Sequence, residues 1–355
     1  MGKQVVGLKL GASRLTAARL EVNGSAELLQ LAESPLPQGV IAGGEVRDVQ
    51  ALAEALKEFF KRHKLPKRNV RIGVANNRIG VRTIEVAGIE DPKQLANAIR
   101  FRAQEALPIP IDEAVLDFQV LSESANAEGQ VVRRVLLVVA YRDLIAAYTE
   151  ACRLAGVRLA GVDLEAFALL RALTPAGPAP EPAADRSALV AVSVGSERSV
   201  LAVSDGLSCD FTRILDWGGN SLTVAVGRAL EVEIEEAELL KIELALQGDT
   251  VPDGLEPERA VQAREALASA LQAFGRELVS SLQFYQGQPD SLGIREIVLA
   301  GGTARLAGLA SELQRLVGVP VRVGDPLVGV AIGKRLRGDA PSPSHAVPIG
   351  LGMAL

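Results

Sequence analysis

Two glycine turns repeat along this 355-residue sequence at a separation of 184 positions. Gly11-Ala12-Ser13 follows the alternating run Val6 to Leu10, and Gly195-Ser196-Glu197 follows the alternating run Val190 to Val194. A second alternating run leaves each turn and closes at Asn23-Gly24 in one case and Asp205-Gly206 in the other. Turns of glycine and small residues present backbone N–H groups to a concavity that holds phosphate, because no side chain blocks the approach. One such turn is most simply a tight hairpin; two at a constant offset, facing each other across a cleft, would clamp a nucleotide. A third turn, Gly301-Gly302-Thr303, follows the buried-strand pattern Val298-Leu299-Ala300, with Thr303 as the expected cap of the next helix, where a ligand rests on a helix N-terminus. Gly329 to Arg335 resembles a phosphate loop, but its glycines are one residue too close and neither Ser nor Thr follows Lys334, so it is rejected.

Other chemistries find little material. Cys152 and Cys209 are the only cysteines, neither with a ligand-spaced partner, and both read as small buried apolar residues of a reducing cytoplasm. His63 and His345 are equally isolated, so a zinc site, a Cys-His pair and a Ser-His-Asp triad are poorly supported. The net charge of −5, from 43 acidic and 38 basic residues, comes with 12 aromatics and no uninterrupted basic block, which argues against nucleic acid. The first residues run straight into a strand pattern, Val6 stands where a myristoylation signal needs Ser or Thr, and no apolar stretch approaches a bilayer span. The expectation is a soluble cytoplasmic protein.

Around the turns, strands alternate with helices, giving an α/β fold of two homologous halves that each open with a β-hairpin. Helices are expected at 48–63, capped by Asp48, and from Asp91-Pro92 to about 107, then near 143–155, 164–173, 220–230, 235–246, 257–286 and 304–316. The stretch 174–182 is too proline-rich for helix or central strand and reads as a connection between halves.

The paired hairpins, the Ala300-Gly301-Gly302-Thr303 turn and Ala237-Glu238-Leu239-Leu240-Lys241 together resemble the actin, Hsp70 and sugar-kinase superfamily. Within it the chain is similar to the PilM family, actin-like cytoplasmic proteins of type IV pilus assembly. The resemblance rests on residues 36–48, on 99–118 with its Ile109-Pro110-Ile111-Asp112-Glu113-Ala114-Val115-Leu116-Asp117-Phe118 block, on 162–172, and on Gly218-Gly219-Asn220-Ser221-Leu222-Thr223. It implies a duplicated actin-like fold, two lobes around a cleft. The first lobe would comprise 1–85 and 159–186, with 340–355 packing back on it; an inserted α/β subdomain would span 86–158. The second lobe would span 187–339, with an outer subdomain at about 221–296.

The resemblance also implies site residues: Lys9, Gly11, Ala12, Ser13, Gly195 and Ser196 on the phosphate side, Asp163 between the halves, and Glu238, Lys241, Gly301, Gly302 and Thr303 on the adenosine side. Glu238 and Lys241 read equally well as one solvated helix face with Glu235 and Glu236. The chain departs from the superfamily where chemistry would occur. Lys9 and Ser193 replace the two hairpin Asp residues, Thr16 replaces a common Lys, and Glu197 replaces a small turn residue. Hydrolysis in this fold relies on carboxylates that hold magnesium and orient water. Asp163 remains to face a magnesium-bound water. Lys9 either stands in for the metal charge or pairs with Glu197 across the cleft. The expectation is a non-enzyme that binds ATP weakly or not at all, without Mg2+.

In that family the inserted subdomain and its parent lobe receive the N-terminal cytoplasmic peptide of a single-pass inner-membrane protein, PilN. The chain is thus expected to be a scaffold linking pilus motor and platform components, at the inner membrane only through that partner. The alternatives are an ATPase or kinase of the superfamily, or an FtsA-like filament former.

Overall fold

The computed structural model describes residues 2–89, 91–106, 110–127, 129–174, 187–206, 208–247, 251–289, 291–338 and 340–354. Strands β1 (Lys3–Leu10), β2 (Arg14–Asn23) and β3 (Ser25–Pro35) make an antiparallel meander, in which alternate apolar side chains face one core. A two-stranded ribbon, β4 (Ile41–Ala42) and β5 (Glu45–Val46), leads to helix α1 (Val49–Arg62). Asp48 caps α1 by accepting from the Ala51 amide at 2.9 Å, and Leu52, Leu56, Phe59 and Phe60 bury the face that meets the sheet. β6 (Val70–Val74) then pairs parallel with β1.

The chain leaves this lobe for a three-stranded sheet, β7 (Ile79–Ala87), β8 (Ala114–Ala125) and β9 (Val131–Tyr141), in the order β7-β9-β8. Helix α2 (Pro92–Ala106) covers one face through Leu95, Ile99 and Ala103. The chain returns through α3 (Arg142–Leu154), β10 (Leu159–Leu164), which lies parallel to β6, and α4 (Glu165–Leu173).

The second half repeats the plan. β11 (Ser187–Val194), β12 (Ser199–Ser204) and β13 (Cys209–Leu215) form the meander, and β14 (Gly293–Ala300) and β15 (Val321–Val323) run parallel beside β11. The register duplicates too: Lys9 faces Thr16 in the first hairpin, and Ser193 faces Val200 in the second. Between β13 and β14 come α5 (Gly219–Leu230), α6 (Ile234–Glu243) and α7 (Pro257–Gln286), then α8 (Leu309–Val317) follows β14. The apolar stripe of α7, Leu267, Leu271, Phe274, Leu278 and Leu282, is core.

Four expectations are corrected. The inserted sheet starts at Ile79, and α3 buries Leu144, Tyr148, Ala151 and Cys152 in the first-lobe core, so the insertion spans 79–141 rather than 86–158. β16 (Val330–Arg337) pairs with β3, so the chain rejoins the first lobe before residue 339, and the rejected phosphate-loop lookalike is mostly edge strand. Among the described residues, helices α5 to α7 share one core with the second sheet. Thr303 caps no helix, because residues 302–305 form a single tight turn and α8 begins only after Gly308. The proline-rich stretch beyond Thr174 lies outside the described residues, as do residues 107–109 of the family block.

Cys152 and Cys209 are buried, and burial pushes both thiols up to about 12, as inert apolar residues require. The last helix, α9 (Ala346–Met353), packs on β1, β2 and α4, and contributes to the core shared by both lobes. A strap at Ser342 to His345 precedes it. Glu33 on β3 accepts from Arg14 Nη1 on Oε2 at 2.7 Å and from Ser344 Oγ on Oε1 at 2.9 Å, and His345 Nε2 lies 3.1 Å from that same Oε1. The Ser342 amide donates to His345 Nδ1, leaving Nε2 for the proton. The His345 ring, more than Arg14 and Ser344 and against burial, holds the Glu33 carboxyl down at about 2. Its lowered value means the unfolded chain binds the proton more tightly. The strap's contribution is thus present above the ordinary carboxylate range and lost as pH falls from about 4.5 toward about 2. Glu33→Gln is expected to lose about 1–2 kcal/mol at neutral pH. Its urea midpoint should also fall less steeply than that of the parent protein as the buffer is acidified through this window.

Candidate functional site

Both glycine turns close in the same way: Gly11 N–H donates to Arg14 O at 3.0 Å, and Gly195 N–H donates to Arg198 O at 2.9 Å. Around the second turn the sequence-predicted residues do come together. Thr303 Oγ1 donates to Gly195 O at 3.2 Å. Gly301 passes so close to β11 that a Cβ would lie 2.3 Å from Val194 O, which together with its φ of 88° requires glycine. Its N–H donates to Pro343 O of the C-terminal strap at 3.0 Å.

The N-terminus of α5 points at this turn, the usual place for a phosphate. Its amides are already spent, however: Gly219 N–H donates to Gly195 O at 2.8 Å and Asn220 N–H to Ser196 O at 2.7 Å. On the adenosine side, Lys241 is buried in a polar network that ends at the half-exposed Glu238, so the two are not simply one solvated face. The Lys241 ammonium donates to Thr223 Oγ1 at 2.9 Å, to Gly219 O at 3.4 Å and to Glu238 Oε2. An ammonium has three protons, so these partners leave none for a ribose.

The metal side is rearranged further. Lys9 does not reach Glu197; its ammonium sits 3.1 Å from Glu165 Oε2 at the start of α4. The cause is local. Lys9 lies beside Gly73 across β1 and β6, and the missing Cβ at Gly73 makes room for Glu165, whose Cγ would be 3.1 Å from it. Both partners are largely buried, at 17% and 8% exposure. Asp163 turns away from a metal-water role: one oxygen accepts from the Leu164 amide at 2.8 Å and the other pairs with Arg171. Ser193 is buried, and its hydroxyl finds no hydrogen-bond partner among the described residues. The residues present therefore do not fit a magnesium ion, and among the described residues no group of three or more His, Cys, Asp or Glu could hold one.

Glu197 performs a different task, one that sequence reasoning missed. Its Oε2 accepts from the Gly43 N–H of the β4–β5 turn at 3.0 Å, across the cleft. Arg198 pairs with Asp216 at 2.9 Å, and the second Asp216 oxygen accepts from Asn77 of the first lobe at 3.3 Å. The receiving turn is braced. Gly43 and Gly44 have φ of 60° and 66°, Asn76 Nδ2 donates to both of their carbonyls at 3.0 Å, and Tyr148 OH donates to Gly44 O at 3.1 Å. The signal lay in Gly43-Gly44 and Glu197, but their pairing joins residues 154 apart. Cavities of about 160 and 700 Å3 open farther along the cleft, lined by Asn77, Arg213 and Ile214 and, for the larger, Asp216, Arg276 and Glu277. None of the turns lines either one.

Comparison with known proteins agrees with this architecture. The profile of the family described as type IV pilus assembly protein PilM matches residues 7–355. Cell division protein FtsA of Pseudomonas aeruginosa is 25% identical, over 92% of this chain and 84% of that protein. FtsA of Escherichia coli K12 is 24% identical with the same coverage. Among solved structures, a chain of the PilM–PilN type IV pilus biogenesis complex superimposes with a TM-score of 0.81, 27% identity and full coverage of both chains. EutJ from Carboxydothermus hydrogenoformans (TM-score 0.59, 15% identity, 99% of this chain and 90% of that one) shares the fold alone. So does ADP-bound MreB5 of Spiroplasma citri (0.53, 12%, 98% and 94%). The expected actin-like α/β fold is the observed one.

Proposed function

The chain belongs to the PilM family of type IV pilus assembly proteins, and from that membership we propose that it is a scaffold of the pilus machinery and not an enzyme. Its partner is the N-terminal cytoplasmic peptide of a PilN-like inner-membrane protein, held in the groove between the inserted subdomain and the first lobe. Other platform or motor components dock on the same body. The observation that carries this is the full-length likeness to a chain of the PilM–PilN complex, at 27% identity. The inserted subdomain supplies what an extended peptide needs: β8 is an edge strand whose Val115 is exposed, and Phe101 of α2 is exposed as well. Among the described residues no helix is long and apolar enough to cross a membrane, and the partner's own anchor tethers the complex to the inner membrane.

Nucleotide plays a minor part in this reading. Members of the fold bind it, as the ADP-bound MreB5 structure records. Here ATP binds weakly or not at all, without Mg2+ and without turnover. The spent α5 amides, the saturated Lys241 and the Lys9–Glu165 pair support that view. An FtsA-like filament former is the alternative, carried by a sequence likeness of 23–25% that is less specific than the family profile.

Calorimetry of the full chain tests both halves. Titration with the N-terminal peptide of the neighbouring membrane-protein gene is expected to give saturable micromolar binding that Phe101→Ala or Val115→Asp weakens. Titration with ATP is expected to give weak heats that magnesium does not enhance. Absence of peptide binding at high micromolar concentration sinks the scaffold reading, and tight magnesium-dependent ATP binding sinks the account of the cleft.

A further inference from the structure

One end of the first lobe carries uncompensated positive charge. Residues 61–71 hold Lys61, Arg62, Lys64, Lys67, Arg68 and Arg71 with no acidic residue among them, in a chain of net charge −5. The interruptions at His63, Leu65-Pro66 and Asn69 hide this run from a search for consecutive cations.

The fold adds cations to the same end. β6 starts at Val70 between β1 and β10, so all three strands begin on one rim. Arg158, just before β10, donates its amide to Lys67 O at 2.7 Å, and Val70 N–H donates to Arg158 O at 3.3 Å. On the other side Asn69 Nδ2 donates to Gln4 O at 3.3 Å, which brings Lys3 to the rim. Lys64 is three residues from Lys67, at most about 10 Å along the chain, close to one Debye length at about 0.1 M salt.

Lys3, Lys61, Lys64, Lys67, Arg68 and Arg158 are all exposed, and among the described residues none has an ion-pair partner. Neighbouring acids are occupied. Glu58 pairs with Arg62, Glu150 pairs with Arg153, and Glu21 accepts from Gly2 and Gln4.

We propose that this rim docks directly on a membrane leaflet rich in anionic phospholipid, as a contact separate from any partner protein. The composition of the face selects that occupant. Leu65 is buried, so the stretch exposes no large apolar side chain to anchor a protein, and it has no Phe, Tyr or Trp on which bases could stack. It lines neither of the cavities that lie between the lobes. What it offers is an array of long flexible cations, whose attraction to a fluid sheet of headgroups adds up charge by charge.

The test is cosedimentation of the full chain, with no partner peptide, on vesicles of phosphatidylcholine containing about 30% phosphatidylglycerol. Binding is expected to the anionic vesicles and not to pure phosphatidylcholine, and is expected to vanish at about 0.5 M salt. The triple variant Lys64→Glu, Arg68→Glu, Arg158→Glu should bind at least about tenfold more weakly, with an unchanged urea midpoint. Lys67 is left intact because its ammonium donates to Ala155 O. If the triple variant does not fold, the neutral Lys64→Gln, Arg68→Gln pair replaces it, with a loss of about fivefold or more expected. No sedimentation with anionic vesicles, or sedimentation indifferent to salt and to these substitutions, overturns the proposal. So does tighter binding to polyglutamate or duplex DNA, which would give the rim to a protein or a nucleic acid.

Discussion

The Lys9→Asp variant is expected to be less stable by about 3–5 kcal/mol, because it leaves the Glu165 carboxylate buried without its cation and sets a second carboxylate on the same side. Lys9 and Glu165 are 3.1 Å apart at 17% and 8% exposure, so water does little to offset the loss. Removing both charges avoids the problem: Lys9→Met with Glu165→Gln is expected to lie within about 2 kcal/mol of the parent protein. Urea unfolding of Lys9→Met, Glu165→Gln and the double variant gives the coupling. A Lys9→Asp protein as stable as its parent would show the pair to be incidental. The same variant restores the carboxylate that the superfamily carries at this position, yet magnesium-dependent ATP binding is not expected to return. Asp163 remains committed to Arg171 and the Leu164 amide, and Ser193 offers only a buried hydroxyl. Lys9, Asp163 and Arg171 are thus committed to partners within the protein as a set.

The duplicated core was legible because hairpins declare themselves locally: alternation, a glycine turn and alternation again, twice, at one offset. Helices were legible where a cap and an apolar stripe coincide, as at Asp48 with Leu52, Leu56 and Phe59. The failures share a physical cause, which is that a local pattern does not name its long-range partner. The apolar face of α3 is an ordinary amphipathic stripe, and nothing in its spacing says that it packs on α1 instead of on the inserted sheet. The stretch of β16 reads in sequence only as a phosphate-loop lookalike, and its place beside β3 joins segments some 300 residues apart. Thr303 has the residue type of a cap, but its hydroxyl is taken by Gly195 O. Glu165 became the partner of Lys9 only because Gly73 has no side chain and lies next to Lys9 in a parallel pairing.

Glu197→Ala is expected to loosen the two lobes without unfolding either. Glu197 reaches from the second hairpin to the Gly43 amide, and this bond, with the Arg198–Asp216–Asn77 link beside it, crosses the cleft near the turns where a nucleotide would bridge the lobes in this fold. A carboxylate accepting from a backbone amide is a charge-assisted bond worth about 1.5–3 kcal/mol. Its partly exposed position puts the effect at the lower end, about a tenfold shift toward open forms. Amide exchange at residues 40–47 should therefore quicken by about that factor, and X-ray scattering should report a larger radius of gyration. Each core should keep its own protection. Glu197→Gln retains an oxygen that can accept from Gly43 and is expected to fall between the two. Adding Asn77→Ala to Glu197→Ala should widen the opening further, since it removes a second crossing. Magnesium and ATP should leave the scattering of the parent protein unchanged, because closure is supplied by its own side chains. If ATP instead closes a parent protein that is open without it, or if Glu197→Ala exchanges as slowly as the parent at Gly43, the clasp does not set the lobe geometry. A lobe pair held shut by protein contacts suits a scaffold, since a binding groove on a rigid body costs its partner less ordering than one that must first be assembled.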